Sequence, residues 1–289
     1  MKLVKTVAVL SVAFAASSAF AANPASGFSL NNVKGVKHIV PTVETNQNDA
    51  NFGKAAINVV DSNAKTTNKN GLANNQPVSF AKIDATANRF FVKTFAHSIL
   101  GKDKNGVTVA NLYRMKGIVW DNIPRMPDHS HLGRLSYSKV GNMDVYFGDW
   151  SAVPSGAAVG TKGTNYTAFY SGTGRTTNLP TTGTATYTVK GINQYHAQNS
   201  AVLNGTLTAD FSSNKLSGSL KNSGLTIAIN NAAIKTAEAS FSGNATANGT
   251  AGATRGHFFG NQGAAIAGVA DFGLNHAYNT AFGGTKTGK

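Results

Sequence analysis

Leu203-Asn204-Gly205-Thr206-Leu207-Thr208-Ala209-Asp210-Phe211, then Ser212-Ser213-Asn214, then Lys215-Leu216-Ser217-Gly218-Ser219-Leu220 decides the fold. Both flanks lean towards a period of two, which suits a strand with one buried face, and the three polar residues between them suit a tight hairpin connection. The pattern repeats outward. Lys221-Asn222-Ser223-Gly224 turns the chain into Leu225-Thr226-Ile227-Ala228-Ile229, and Ala185–Ile192 precedes the pair. Ala239–Gly243, Arg255–Gly260 and Ala265–Phe272 follow, and a run near Ala168-Phe169-Tyr170 brings the count to about eight, enough to close a small antiparallel barrel. Glycine and alanine are frequent in these runs, which predicts a narrow barrel with small interior side chains, a packed scaffold with no roomy cavity.

The preceding part of the chain is written differently. It holds Trp120 and Trp150, most of the acidic residues and four of the seven histidines. Arg89–Phe95 and Asn142–Trp150 read as strands, rich in aromatic and branched residues, whereas Thr45–Asn75 has few large apolar residues to anchor it. Ser151-Ala152-Val153-Pro154-Ser155-Gly156 marks a break. The expected organisation is therefore mainly β: an irregular α+β or β ligand-binding, handle-like domain over 22–154, then an eight-stranded antiparallel β-barrel over 155–289. Residues 1–21 carry two lysines ahead of a short apolar run and close on Ala19-Phe20-Ala21, the pattern of a secretory signal peptide rather than of a spanning helix. An acyl anchor needs a cysteine, and the 289-residue chain has none, which also removes disulfides, thiolate metal sites and cysteine nucleophiles. The expected product is secreted through the periplasm without a stable membrane anchor. The net charge of +14 is spread along the chain with no basic stripe, which argues against nucleic acid.

The most unusual chemistry lies in Asp121-Asn122-Ile123-Pro124-Arg125-Met126-Pro127-Asp128-His129-Ser130-His131-Leu132-Gly133-Arg134-Leu135. Haem needs an imidazole for iron, apolar surface for the porphyrin faces and cations for the propionates. His129 and His131 offer the first, Trp120 and Met126 the second, Arg125 and Arg134 the third. Because residues two apart on an extended stretch point the same way, His129 and His131, with Asp128, could instead share a divalent metal. A polar loop with two surface histidines is the plain alternative. His38 and His97, each among apolar residues, are candidates for a second axial ligand, while His196, His257 and His276 have no matching partner. Hydrolase and nucleotide-binding signatures are missing, and with glutamate confined to Glu44 and Glu238 a paired-carboxylate enzyme is not expected.

Two resemblances rest on these residues. Gly205–Phe211 through Leu216–Leu220, with Phe241-Ser242-Gly243 and His257-Phe258-Phe259-Gly260-Asn261-Gln262-Gly263-Ala264-Ala265, looks like the eight-stranded barrel of transferrin-binding protein B, a barrel shared by many surface proteins. The whole arrangement, with Val145-Tyr146-Phe147-Gly148-Asp149-Trp150-Ser151 in its first domain, is similar to the hemophilin family of secreted haem carriers. That similarity implies haem b (iron protoporphyrin IX) held by histidine in the N-terminal domain, His131 and His129 first. It also implies export by a Slam-type outer-membrane translocon and delivery to a TonB-dependent outer-membrane haem receptor. A secreted adhesin or colonisation factor that uses the same barrel for export is the competing function.

Overall fold

The computed structural model describes residues 23–30, 37–61, 72–87, 99–114, 130–154, 157 and 160–287. The chain is mainly β and forms a closed barrel beside two further sheets. The barrel strands are β10 (Thr184–Ile192), β11 (Leu203–Asp210), β12 (Lys215–Lys221), β13 (Thr226–Lys235), β14 (Ser240–Ala247), β15 (Thr250–Phe259), β16 (Ala265–Asp271) and β17 (Thr280–Lys286). Each pairs antiparallel with its successor, and β10 pairs with β17 to close the ring. Both sequence-predicted turns form as read. Asp210 Oδ1 accepts the Ser212 and Ser213 N–H groups at 2.9 and 3.2 Å while Asn214 takes the left-handed conformation, and Asn222 Oδ1 accepts those of Gly224 and Leu225.

The interior is not lined by small side chains, as the composition suggested. Phe211, Phe241, Phe258, Phe282 and Tyr187 fill it with Leu203, Leu207 and Ile227. The glycines make room for these rings. A Cβ on Gly256 would lie 2.3 Å from Phe241 Cζ and one on its cross-strand partner Gly268 2.9 Å from Phe282 Cζ, so aromatic rings lie where those side chains would be.

The N-terminal sheet has the order β1-β9-β8-β7-β6-β5. Its strands are β1 (Ala25–Phe28), β5 (Ile99–Lys102), β6 (Thr108–Arg114), β7 (Ser130–Lys139), β8 (Val145–Ala152) and β9 (Thr164–Gly172). Ala168-Phe169-Tyr170 therefore belongs to β9 of this sheet, and the eighth barrel strand is β17, whose glycine-rich sequence Thr280-Ala281-Phe282-Gly283-Gly284 hides the period. The sheet thus draws on residues from both sides of the 151–156 break. Arg89–Phe95 and residues 62–71 lie outside the described residues, and the early segment supplies a buried strand, β3 (Ala55–Val60).

One face of the six-stranded sheet is covered by a smaller sheet of β2 (His38–Val43), β3 and β4 (Val78–Ser79), and by the helix Phe80–Ala87. Ser79 Oγ caps that helix by accepting the Lys82 N–H at 3.1 Å, and Phe80 stacks on Tyr146 with ring centroids 4.5 Å apart. The other face packs on the barrel wall, where Val145, Phe147 and Tyr170 meet Val269 and Ala281. Strands β8 and β9 are accordingly buried on both sides. Among the described residues no helix is long and apolar enough to cross a membrane.

Candidate functional site

Antiparallel order fixes which chain ends meet. At one end of the six-stranded sheet β5 begins, β6 ends, β7 begins, β8 ends, β9 begins and β1 ends, as the pairs Ile99↔Ala110, Arg114↔Ser130, Arg134↔Ser151 and Phe28↔Phe169 require. Strand β2 starts at the same end. Asn165 Nδ2 donates to the Lys37 carbonyl at 3.2 Å and Ser171 Oγ to that of Thr42 at 2.9 Å, so β2 runs alongside β9 in the same direction. Two N-terminal histidines stand here among the described residues: His131 is the second residue of β7, and His38 opens β2.

His131 is the best defined of them. Strand pairing slips between Leu112 and Tyr113, so that Tyr113 faces His131 while Leu112 faces Gly133, a bulge centred on Leu132. Gly133 adopts φ +115°, and a Cβ there would lie 2.3 Å from Trp150 Nε1. Trp150 Nε1 donates to the Leu132 carbonyl at 3.2 Å, and the Gly133 N–H donates to His131 Nδ1 at 2.9 Å. The bulge thereby holds the ring, and because Nδ1 is an acceptor the imidazole proton sits on Nε2. The residue is 6% exposed. Burial, then the nearby cations of Arg134 and Lys37, bring its pKa down to about 4, so the ring is neutral at physiological pH; for Nε2 to offer its lone pair to a metal the proton would have to move to Nδ1 and the Gly133 N–H contact open. Lys37 Nζ donates to the His131 carbonyl at 2.6 Å.

Arg134 is turned into the seam with the barrel. It is 3% exposed; its Nε donates to Asn111 Oδ1 at 3.0 Å and its Nη1 to the carbonyls of Thr161 and His196 at 2.6 and 2.7 Å. With Asp149, Tyr166 and Tyr195 it lines a small cleft of about 70 Å3. Burial pushes the Asp149 carboxyl up to about 7, against the hydrogen bond its Oδ2 accepts from the Tyr195 N–H at 2.7 Å.

Trp120, Arg125, Met126, Asp128, His129 and His97 lie outside the described residues. Of the sequence-predicted site residues the structure therefore describes His131, Arg134 and the half-buried His38. Among the described residues no group of three or more His, Cys, Asp or Glu side chains is arranged to hold a metal ion. The three barrel histidines do not converge. The His257 Nδ1 is 2.7 Å from the Tyr170 hydroxyl, the His196 Nδ1 2.8 Å from the Gln194 carbonyl, and the His276 Nδ1 is buried with no hydrogen-bond partner among the described residues. Sequence reasoning missed Lys37, Asn165 and the bulge. A glycine two residues after a histidine inside a strand is the one signal that could have found the bulge.

Residues 40–164 match the family model of the HphA N-terminal heme-binding domain, and residues 177–286 that of the HphA C-terminal domain. Solved structures show remote likenesses. The apo haemoglobin receptor HpuA from Kingella denitrificans is 19% identical over 65% of this chain and 86% of its own, with a TM-score of 0.43. The same receptor in complex with human haemoglobin gives a TM-score of 0.41 at the same identity and coverage. A double mutant of Transferrin Binding Protein B from Haemophilus parasuis Hp5 is 16% identical over 64% of this chain and 41% of that one, with a TM-score of 0.37. The two family matches follow one another in order and take in most of the chain, with β9, the last strand of the six-stranded sheet, in the gap between them: the protein belongs to the HphA family and carries that family's heme-binding domain.

Proposed function

We propose that this protein is a secreted hemophore that binds haem b at the histidine-bearing end of its N-terminal sheet and hands it to a TonB-dependent outer-membrane receptor after export by a Slam-type translocon. The observation that carries the reading is that His131 and His38, from separate parts of the sequence, open strands at one sheet end, within and beside the stretch matched to a heme-binding domain. His131 fits the group because its ring is buried, neutral and oriented by the bulge. In this reading His131 ligates iron, His129 is its first partner, and His38 or His97 is the alternative second ligand. Trp120 and Met126 pack on the porphyrin, and Arg125 faces the propionates, with Lys37 as a further cation; Arg134, expected from the sequence in that role, is instead held in the seam by Asn111 and the Thr161 and His196 carbonyls. Bound haem supplies the iron centre and a visible absorption band; the chain supplies ligands, apolar cover and release.

Titrating the purified apoprotein with haemin reads the Soret band directly. The expected result is saturation at one haem per chain with a shifted band, and His131→Ala weakening binding on the order of 100-fold, the scale that metal-site residues command. A band that His131→Ala and His129→Ala leave unchanged in position and affinity overturns the ligand assignment, and no band at all overturns the function.

A further inference from the structure

Barrel strands β10 and β11 are joined by residues 193–202, the longest connection between neighbouring strands of the barrel. A two-residue turn suffices for such a pair, as Asn248-Gly249 shows between β14 and β15. The extra residues lie against the N-terminal sheet. The Gln194 N–H donates to the Tyr166 hydroxyl of β9 at 2.9 Å, the Tyr195 N–H donates to Asp149 Oδ2 of β8 at 2.7 Å, and the Tyr195 carbonyl accepts from Ser136 Oγ of β7 at 2.6 Å. The His196 carbonyl accepts from Arg134 Nη1, also of β7, at 2.7 Å. Farther along, the Asn199 N–H donates to Asp103 Oδ2 at 2.6 Å and the Ser200 carbonyl accepts from Asn105 Nδ2 at 2.9 Å, both in the β5–β6 turn. One barrel loop thus grips three strands and a turn of the sheet.

The grip is fixed from both sides. Tyr195 is 1% exposed, and its hydroxyl is held by Asp103 and Asn105. Gln194 takes φ +46°, a left-handed conformation that a residue with a side chain keeps only where the surrounding contacts impose it. On the barrel side, Asn193 Nδ2 donates to the Ala277 and Asn279 carbonyls at 2.7 and 2.9 Å, which ties the start of the loop to the β16–β17 connection.

What the loop holds is the segment next to His131. In a regular strand residues three apart face opposite sides of a sheet, but the extra residue at Leu132 brings His131 and Arg134 to the same side. Of the two cations that act on the His131 ring, Arg134 has the larger effect. Its guanidinium joins Asn111 of β6, the Thr161 carbonyl and the barrel's His196 carbonyl, three oxygens that the planar fork of an arginine reaches together and the single ammonium of a lysine does not. We infer that the β10–β11 loop is a positioning element of the haem site: through Arg134 it sets where β7 lies, and with it the approach of His131 to a bound porphyrin. Arg134 is then a positioning residue, and the stretch matched to the heme-binding domain, 40–164, takes part of its own alignment from the barrel. The inference rests on haem binding at this end of the sheet, as proposed above.

The test is a haemin titration of the full-length protein that reads both the position of the Soret band and the affinity. R134Q is expected to shift the band and weaken binding about tenfold, the scale of a group that orients a metal ligand. R134K, which keeps the charge and can reach one carbonyl, should restore part of both. N193A/Y195F, which alters only the barrel loop, should move the band in the same direction and weaken binding about fivefold. F258A, which empties part of the barrel core away from the loop, should stay within about twofold of the parent. Parental band and affinity in R134Q and N193A/Y195F, with His131→Ala still weakened, would overturn the inference and leave the haem site standing. An equal loss in F258A would mean that haem binding merely follows stability, and would overturn it as well. No band in the parent protein would end both readings.

Discussion

The barrel and the N-terminal sheet are built from the same antiparallel pairing, yet they bury their side chains in different ways. Strands β11 to β14 show one buried and one open face, in patterns such as Leu203 in, Asn204 out, Leu207 in, Thr208 out, and a single apolar interior holds them. Strands β8 and β9 are buried on both faces, one against Phe80 and β3, the other against the barrel wall. A strand with one wet face has its register fixed by its alternation. A strand covered on both sides needs other devices, and here they are polar: the bulge at Gly133, the Trp150 contact to Leu132, and the Ser136 hydroxyl donated to the Tyr195 carbonyl at 2.6 Å. The barrel is a scaffold specified by apolar pattern, and the sheet carries the chemistry because its polar devices also aim side chains.

That contrast predicts different failures. Phe258 touches Tyr187, Phe211 and Phe241 with ring centroids 6.0, 5.8 and 5.6 Å apart, at the centre of the barrel. Phe258→Ala is expected to cost about 3–5 kcal/mol in denaturant unfolding. Below its lowered melting temperature the variant should still take up haem with the parental Soret band; a changed band would show that the two regions share one cooperative site. Gly133→Ala should do the reverse. Its strain, about 1–3 kcal/mol, is smaller, but the Cβ clashes with Trp150 and shifts residue 133, whose own N–H orients His131. The Soret band should move although less stability is lost, and a parental band in that variant would remove the bulge from the account of the site.

The same contrast explains what could be read without coordinates. Hairpins at Asp210–Lys215 and Lys221–Thr226 were legible because alternation and turn chemistry are local. Strand β17 was not, because Gly283 is there to admit Phe147 and Val140 from the other sheet, a reason that lies outside the barrel's own sequence. Ala168–Tyr170 was misplaced for a related cause: a strand buried on both faces has no period to show which layer it joins. His131 could be singled out from its neighbours in sequence, whereas Lys37, ninety-four residues away and brought in by β2 lying along β9, could not.

The seam between the two regions carries two titrations of opposite sign. Asp149, in the sheet, has its pKa raised by burial to about 7 from 3.8. Between those values the folded chain holds a proton that the unfolded chain has released, so this group's contribution falls as pH rises from about 4 to above 7. His257, in the barrel against Tyr170, has its pKa lowered by burial, then by the Arg175 cation, to about 4 from 6.5. Here the unfolded chain holds the extra proton, and the contribution rises over about pH 4 to 6.5 and is complete above it. His131, lowered likewise to about 4, adds a second rise over the same range, so the parent protein should gain stability from about pH 4 to 6.5 with Asp149 offsetting part of it. Asp149→Asn keeps an acceptor for the Tyr195 N–H but cannot ionise, and should steepen that rise by about 2 kcal/mol or more. His257→Gln should leave the His131 and Asp149 slopes to offset and flatten the curve. Denaturant midpoints measured at pH 4.5, 6 and 8 on the three proteins decide it: parallel curves would mean that neither group titrates within the seam, and the packing of sheet on barrel would then rest on apolar contact alone.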